Sequence, residues 1–163
     1  MKNFKLILVR HAKSSWEHNV SDVKRPLKKR GVNDALLVSN QLKTKLYVID
    51  KVFTSHANRA HSTCKIFQET LNWPNELISV KEELYDFSGE SVIDFISNIN
   101  DNLKTVVIFG HNHAFTSIAN IYGDRIIDNL PTAGAVVLSF NADSWKYVKY
   151  GTTELMMFPR DFK

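Results

Sequence analysis

The sequence predicts an α/β protein: a three-layer sandwich with a mostly parallel central sheet, helices on both faces and a C-terminal hairpin at the sheet edge. Short apolar and β-branched runs alternate along the chain with segments whose apolar residues recur at helical spacing. Such alternation is typical of a parallel sheet covered by helices on both faces. The length of 163 residues is close to that of a typical domain. We therefore expect a single domain over residues 1–163.

The first predicted strand is Phe4–Val9, a continuous apolar run typical of a strand buried on both faces. The segment that follows has apolar residues at helical spacing. The expected core face of this helix consists of Val32, Ala35, Leu36, Leu42 and Leu46.

The second predicted strand is centred on Val52 and Phe53, and a helix with one apolar face follows it. That face consists of Ala57, Ala60, Cys64, Phe67 and Leu71. Cys64 is therefore expected to be a small buried hydrophobe. Since it is the one cysteine of the chain, no intrachain disulfide can form, which suits a reducing compartment.

The middle of the chain predicts a weak strand at Leu77–Val80 and a central strand at Lys104–Phe109, which is rich in β-branched residues. One helix is expected between these strands and one after the second. Their expected core residues are Val92, Phe95, Ile96 and Ile99 for the first, and Phe115, Ile118, Ala119 and Tyr122 for the second.

The C-terminal part predicts a hairpin at the sheet edge. Its strands are Ala135–Phe140 and Trp145–Tyr150, and the turn-forming residues 141–144 separate them.

The composition predicts an ordinary globular protein, with 44% hydrophobic residues and a net charge of +4. No apolar run is long enough for a secretory signal or a membrane span, so we expect a cytoplasmic protein without membrane contact. The densest basic cluster is expected to be a solvated stretch that leads into a helix. No zinc-finger spacing or aromatic RNA-binding motif accompanies it, so no nucleic-acid partner is expected. The cluster consists of Lys24, Arg25, Lys28, Lys29 and Arg30.

Polar residues directly follow three of the predicted strands. Arg10 and His11 follow the first, the segment 54–60 with Arg59 follows the second, and His111 follows the strand Lys104–Phe109. Ligands of open α/β sheets bind at the carboxyl ends of the strands. We therefore expect these four residues to lie at one edge of the sheet.

The position of Arg59 also points to a bound anion. It lies near the start of a predicted helix and beside its apolar face. A cation at the positive end of the helix dipole is locally unfavourable. An anion held between Arg59, Arg10 and the helix N-termini would resolve this conflict.

Several other chemistries fit the sequence less well. A cysteine phosphatase needs its cysteine at the head of a phosphate loop, whereas Cys64 lies in the middle of a predicted helix. The glycine-rich nucleotide-binding motifs and the GxSxG motif are absent from the sequence. His111 and His113 in GHNH resemble the last motif of metallophosphoesterases, but that family has Asp-x-His after its first strand, where this chain has Arg10-His11. No metal and no other cofactor is therefore expected.

The motifs LVRHAKSSW, SHANRAHST and FGHNH resemble the three blocks of the histidine phosphatase superfamily, whose fold is that of phosphoglycerate mutase. Within it, the chain most resembles the small SixA-like phosphohistidine phosphatases. Further similarities are Arg25-Pro26-Leu27, Glu83-Leu84-Tyr85 and the segment 130–134, so the resemblance spans roughly residues 4–150. The chain departs from the family at His56 and His113, which replace prolines.

The resemblance implies that His11 is the nucleophile and that Arg10, Arg59 and His111 form the phosphate pocket around it. His11 must be neutral to attack phosphorus, and His111 is expected to be protonated beside the phosphate dianion. The candidate rim of the substrate site consists of Arg25, Ser14 and Asn112.

The sequence allows more than one leaving group and more than one class of substrate. Asp86 is the candidate general acid, which a phosphate ester of an alcohol requires. Phosphohistidine needs an acid less, and the short connections of the chain leave little for a lid. We therefore expect a phosphorylated protein as the substrate and a small phosphate ester as the alternative. A non-catalytic phosphate-binding module and a metallophosphoesterase are weaker alternatives.

Overall fold

The computed structural model describes residues 1–163 and has a six-stranded sheet with the order β3-β2-β4-β1-β5-β6. β1 to β4 run parallel to one another, whereas β5 pairs antiparallel with β1, and β6 antiparallel with β5. The predicted α/β class and the mostly parallel sheet are therefore confirmed. The strands are β1 (Lys2–Arg10), β2 (Lys51–Thr54), β3 (Ile78–Val80), β4 (Thr105–Gly110), β5 (Ala135–Ala142) and β6 (Thr152–Met157).

Four α-helices cover the two faces of the sheet, and each follows one of the parallel strands. α1 and α2 pack on one face, and α3 and α4 pack on the other. None of them combines the length and the hydropathy that crossing a bilayer requires. The helices are α1 (Lys29–Thr44), α2 (Asn58–Leu71), α3 (Glu90–Ser97) and α4 (Ala114–Tyr122).

β1 explains why the sequence of a central strand is continuously apolar. Leu6 and Leu8 point into the core beneath α3 and α4. Ile7 and Val9 point into the core beneath α1 and α2. Both kinds of position are fully buried, so this strand has no face for polar side chains.

The core face of α1 differs from the predicted one. Ala35 and Leu42 are buried as expected, but Val32, Leu36 and Leu46 are 37%, 41% and 84% exposed. The face is instead completed by small and polar residues that pack closely, which an apolar pattern does not detect. These are Gly31, Asp34 and Ser39, and the apolar Val38 is buried with them.

The predicted hairpin is correct as an antiparallel edge pair but wrong in its second strand. Residues Trp145–Tyr147 form a short 3₁₀ helix, and the strand that pairs with β5 is β6, at Thr152–Met157. The Trp145 side chain is fully buried against Phe4, with ring centroids 4.8 Å apart, and its indole N–H donates to the Leu103 carbonyl at 2.7 Å. These tertiary contacts hold the segment out of the sheet, and a local pattern does not contain them.

The carboxyl ends of the parallel strands meet at one edge of the sheet. Arg10 at the end of β1 is level with Gly110 at the end of β4, and Thr54 at the end of β2 is level with Phe109. The chains that leave these strands stay together, because the His11 amide donates to the Gly110 carbonyl at 3.0 Å. This edge therefore carries the polar motifs found in the sequence.

Candidate active site

His11 lies directly after β1 with its side chain 8% exposed. Its Nδ1 is 2.8 Å from the backbone carbonyl of Ala12. A carbonyl can only accept, so Nδ1 carries the proton and donates it. Nε2 is left with a free lone pair, which is the form of imidazole that can act as a nucleophile.

The surroundings of His11 also keep its ring neutral. Burial, together with the positive charges of Arg59 and Arg10, lowers the pKa of His11 to about 3. At neutral pH the ring is therefore uncharged, as a nitrogen nucleophile must be.

Arg59 lies in the first turn of α2 and is 2% exposed. The anion that the sequence requires beside it is provided by the chain itself. The Arg59 guanidinium donates to the Asp22 carboxylate at 2.9 Å and to the Asp22 carbonyl at 2.7 Å. Asp22 was missed in the sequence because it lies in a long connection without periodicity. The one feature of the sequence that points to a role for Asp22 is its position three residues before Arg25.

Asp22 also binds Arg25 and Tyr85, so one carboxylate connects three segments of the site. Its Oδ1 accepts from Arg25 at 3.1 Å, and its Oδ2 accepts from the Tyr85 hydroxyl. Partial burial alone would raise the pKa of Asp22, but the hydrogen bonds from Tyr85 and Arg59 lower it to about 2. Asp22 is therefore a fixed anion that positions Arg59.

The expectation that Arg25 belongs to a solvated basic stretch is wrong. Its side chain is buried, and it donates to the Ser14 hydroxyl at 2.7 Å as well as to Asp22. Ser14 is buried too and is fixed by its bridge to Leu27. Arg25 and Ser14 thus both lie in the network beside Arg59. There, Arg25 adds to the positive charge near His11.

His111 follows β4 and is 1% exposed, with its ring centroid 5.4 Å from that of His11. Its Nε2 is 2.9 Å from the Ser55 hydroxyl. Ser55 Oγ already accepts from the Ala57 amide, which favours donation of its own proton to Nε2 and places the N–H of neutral His111 on Nδ1. Burial and the neighbouring His11 lower the pKa of His111 to about 3, so the expected protonated form requires an anion beside it.

Three buried side-chain nitrogens of the whole protein have no hydrogen-bond partner, and all three belong to this edge. They are Nε of Arg10, Nε of Arg59 and Nδ1 of His111. Native proteins satisfy almost all of their buried polar groups, so such a concentration indicates a site for an external acceptor. A tetrahedral oxyanion offers acceptors in several directions and suits two guanidiniums, which are permanently charged.

The Asp86 carboxylate, the candidate general acid, is held by hydrogen bonds at the start of α3. Its carboxylate accepts from the amides of Ser88, Gly89 and Val92, each at 3.1 Å, and thereby caps α3. Partial burial alone would raise the pKa of Asp86, but these backbone hydrogen bonds lower it. A general acid must hold its proton, so the structure disfavours this assignment.

Asn112 similarly caps the start of α4. Its side-chain oxygen accepts from the Thr116 amide at 3.0 Å and from the Thr116 hydroxyl at 2.8 Å, while its amide group donates to Asn129. The side chain of this rim candidate is therefore already hydrogen-bonded within the protein, and it stabilises the helix that follows His111.

We expect His11 and His111 to stay neutral from about pH 8 to about pH 5, because their pKa values lie near 3. The ring nitrogen shifts in a ¹⁵N NMR titration measure this directly. An unfolded histidine titrates near pH 6.5, so the unfolded chain binds more protons than the folded one below that pH. The free energy of unfolding should therefore decrease as the pH falls from about 6.5 towards about 3. Imidazolium shifts of either ring at pH 5.5 would contradict the burial argument.

No group of three or more His, Cys, Asp or Glu side chains in the structure is arranged to hold a metal ion.

Comparison with known proteins gives consistent results for sequence and fold. The family model of the histidine phosphatase superfamily (branch 1) matches residues 6–90. An uncharacterized protein of Mycobacterium tuberculosis is 30% identical over 92% of this chain and 98% of its own length.

Two solved structures share the fold. The protein histidine phosphatase SixA complexed with tungstate superposes with a TM-score of 0.83 and 21% identity, over 98% of this chain and all of that chain. A mycobacterial glucosyl-3-phosphoglycerate phosphatase superposes with a TM-score of 0.66 and 11% identity, over 93% of this chain and 97% of that chain. Because the family model covers more than half of the sequence, the chain belongs to the histidine phosphatase superfamily and is a phosphatase of the hydrolase class, with the fold of SixA.

Proposed function

We propose that this protein is a metal-independent phosphatase that forms a phosphohistidine intermediate on His11 and removes phosphate from phosphohistidine on a protein. The observation that carries this proposal is that the two carboxylates that flank the site, Asp22 and Asp86, each accept several hydrogen bonds from the protein, so neither is free to hold a proton for the leaving group. An alcohol is a poor leaving group unless an acid protonates it. Imidazole has a much lower pKa than an alcohol, so a P–N bond breaks without a committed protein acid.

The phosphoryl group of the substrate is held by the three nitrogens that lack a protein partner. Arg10 and Arg59 donate through Nε, and His111 donates through Nδ1, to the oxygens on which negative charge accumulates. The dianion raises the pKa of His111 and favours its protonated form, which adds a third positive charge. Asp22 holds the Arg59 guanidinium in place through its terminal nitrogens, so Nε is presented in one orientation.

The chemical steps follow from the free lone pair on His11. Nε2 forms a bond to phosphorus in line with the leaving nitrogen, and the P–N bond of the substrate breaks. The far nitrogen of the substrate ring takes a proton from solvent before the bond breaks, so the ring leaves as neutral imidazole. Water then attacks the phosphorus, the P–Nε2 bond breaks, and inorganic phosphate and neutral His11 are released. The guanidiniums neutralise the transferring group, so the steps need no metal.

The similar proteins support the two alternatives unequally. The SixA structure, described as a protein histidine phosphatase with bound tungstate, supports both an oxyanion site and a protein-borne substrate. The glucosyl-3-phosphoglycerate phosphatase has a lower TM-score and supports the second candidate, a small-molecule phosphomonoesterase.

A substrate panel assayed in the presence of EDTA tests the proposal. It contains a phosphohistidine peptide, phosphoramidate, an aryl phosphate and several sugar phosphates. We expect both P–N substrates to be hydrolysed at least about 10²-fold faster than the sugar phosphates, the scale on which a general acid acts. The aryl phosphate should lie between them, because its leaving group has an intermediate pKa.

Three outcomes of this panel would contradict the proposal. Equal rates on sugar phosphates and phosphohistidine would favour the small-molecule phosphatase. Loss of activity in EDTA, with recovery on addition of Mn²⁺, would favour a metallophosphoesterase. Binding of phosphate without any turnover would favour a phosphate-binding module.

The variant Asp86→Asn tests whether the enzyme works without that carboxyl group. We expect the rate on phosphoramidate to change less than about twofold, because Asp86 neither donates nor accepts a proton in the proposed reaction. The free energy of unfolding should decrease by about 1 kcal/mol, the usual effect of a weakened helix cap. Asp94→Asn, an exposed change on the same helix, is the matched control. A rate loss confined to alkyl phosphates would restore Asp86 as the general acid.

A further inference from the structure

The segment 13–30, which follows His11, carries an unusual excess of positive charge. It contains six Lys and Arg residues and two Asp and Glu residues, so its excess equals the net charge of +4 of the whole chain. Four of its lysines are exposed, and none of them forms an ion pair. We call these four the basic rim: Lys13, Lys24, Lys28 and Lys29.

The basic rim is built onto the active-site loops. The Lys28 amide donates to the Lys13 carbonyl at 2.9 Å, and Lys13 lies two residues after His11. A Cβ at Gly31 would lie 2.3 Å from the same carbonyl, so the start of α1 is held directly against this loop. The Lys24 carbonyl accepts from the side chain of Asn58 at 3.1 Å, next to Arg59. The backbone of Lys13, Lys24 and Lys28 is therefore joined to the loops that carry His11 and Arg59, and Lys29 is the next residue in the chain.

The stability of α1 does not explain these charges. α1 begins with Lys28 as its N-cap and with Lys29 and Arg30 in its first turn, and this turn has no acidic residue. Cations are unfavourable at the positive end of a helix. α3 in the same protein follows the usual rule, with Glu90 in its first turn and Asp86 as a cap. A locally unfavourable choice of this kind is expected where function requires it.

The same segment holds the one exposed tryptophan of the protein. Trp16 is 73% exposed, whereas Trp73 and Trp145 are buried. Its ring lies over the guanidinium of Arg25 at 3.5 Å, and Arg25 is itself fixed by Ser14 and Asp22. Stacking on a fixed arginine orders an exposed aromatic ring before any partner arrives. Tryptophan in such a setting is typical of the anchors of protein interfaces.

We propose that the basic rim and Trp16 form a docking surface for the protein substrate, and that this substrate has an acidic surface around its phosphohistidine. The proposal rests on the function proposed above. Complementary charge at the rim speeds association and selects the partner, while Trp16 supplies apolar contact area next to the reacting phosphate.

The test uses three phosphohistidine peptides of equal length, flanked by acidic, neutral or lysine residues, together with phosphoramidate. At low salt we expect kcat/KM for the acidic peptide to exceed that for the lysine peptide by about tenfold or more. The difference should nearly vanish in about 1 M NaCl, where charges are screened within a few ångströms. The rate on phosphoramidate should not depend on the charges of the basic rim.

Two variants and a control locate the effect. Lys28→Glu combined with Lys29→Glu cancels the excess charge of the segment and should abolish the preference for the acidic peptide, and Trp16→Ala should raise KM for all three with kcat unchanged. Lys146→Glu combined with Lys149→Glu changes the same charge at the opposite edge of the sheet and should leave every rate unaltered, because these residues follow the far end of β5.

The outcomes separate this proposal from the function on which it rests. Equal rates for the three peptides, together with turnover of phosphoramidate, would overturn the docking surface and leave the proposed function standing. Failure to hydrolyse any P–N substrate would overturn both. Stronger binding of a DNA oligonucleotide than of the acidic peptide would overturn the proposal in favour of a nucleic-acid surface.

Discussion

Replacement of His11 by alanine is expected to reduce turnover of every substrate by at least about 10⁴-fold, the scale of loss when a covalent nucleophile is removed. The reason is that Nε2 of His11 is the one imidazole nitrogen at the site with an unshared lone pair and no hydrogen bond. The variant should still fold, because the His11 side chain makes one hydrogen bond, to the neighbouring carbonyl of Ala12. Steady-state rates on phosphoramidate and circular dichroism check both parts.

The control is His18→Ala, which removes an exposed histidine from the same loop and should leave the rate unchanged. The His11→Ala protein should also still bind phosphate or tungstate, since the arginines remain. Retention of more than a few per cent of wild-type turnover would mean that water attacks the substrate directly and that His11 has a binding role only.

Replacement of Arg59 by alanine is expected to reduce kcat/KM by about 10²–10³-fold, the usual effect of losing one preorganised donor to a developing charge. The same change should reduce the free energy of unfolding by about 1–3 kcal/mol, because it removes a buried side chain together with its two hydrogen bonds to Asp22. Arg59→Lys keeps the charge but not the forked donor, so it should recover part of the stability and little of the rate.

Arg125→Ala, at an exposed arginine beyond α4, is the matched control for loss of a positive charge. If Arg59→Ala destabilised the protein but left kcat/KM of the folded fraction unchanged, Arg59 would be a structural partner of Asp22 and not a ligand of the phosphate.

The positions of the four proposed catalytic residues follow from general features of parallel sheets. Arg10, His11 and His111 each follow a strand with a clear apolar pattern, and strands that run parallel bring their carboxyl ends to one edge. Arg59 could be singled out because a cation at a helix start conflicts with the helix dipole. These arguments need the order of the elements and not their contacts, which is why the sequence suffices for them.

Several errors of the sequence-based account concern residues whose role depends on tertiary contacts. Asp22 lies between β1 and α1 in irregular chain, and only its contacts with Arg59, Arg25 and Tyr85 reveal its importance. Arg25 looks like its exposed lysine neighbours until Ser14 and Asp22 are seen to enclose it.

Asp86 and Trp145 are residues for which the sequence pattern allows two interpretations. An aspartate before a helix can be an acid or a cap, and the hydrogen bonds to the Ser88, Gly89 and Val92 amides decide between them. A tryptophan followed by Tyr147 and Val148 resembles a strand, but burial of the indole against Phe4 fixes it in a 3₁₀ turn.

The central claim is that the phosphoryl group passes through Nε2 of His11, and trapping the intermediate tests it most directly. The protein is mixed with phosphoramidate, quenched under alkaline conditions that preserve phosphohistidine, digested and sequenced by tandem mass spectrometry. We expect phosphate on the peptide that contains His11, with loss of the modification after brief acid treatment and none in His11→Ala. Phosphate on any other residue, or turnover without a phosphoenzyme under single-turnover conditions, would contradict the account.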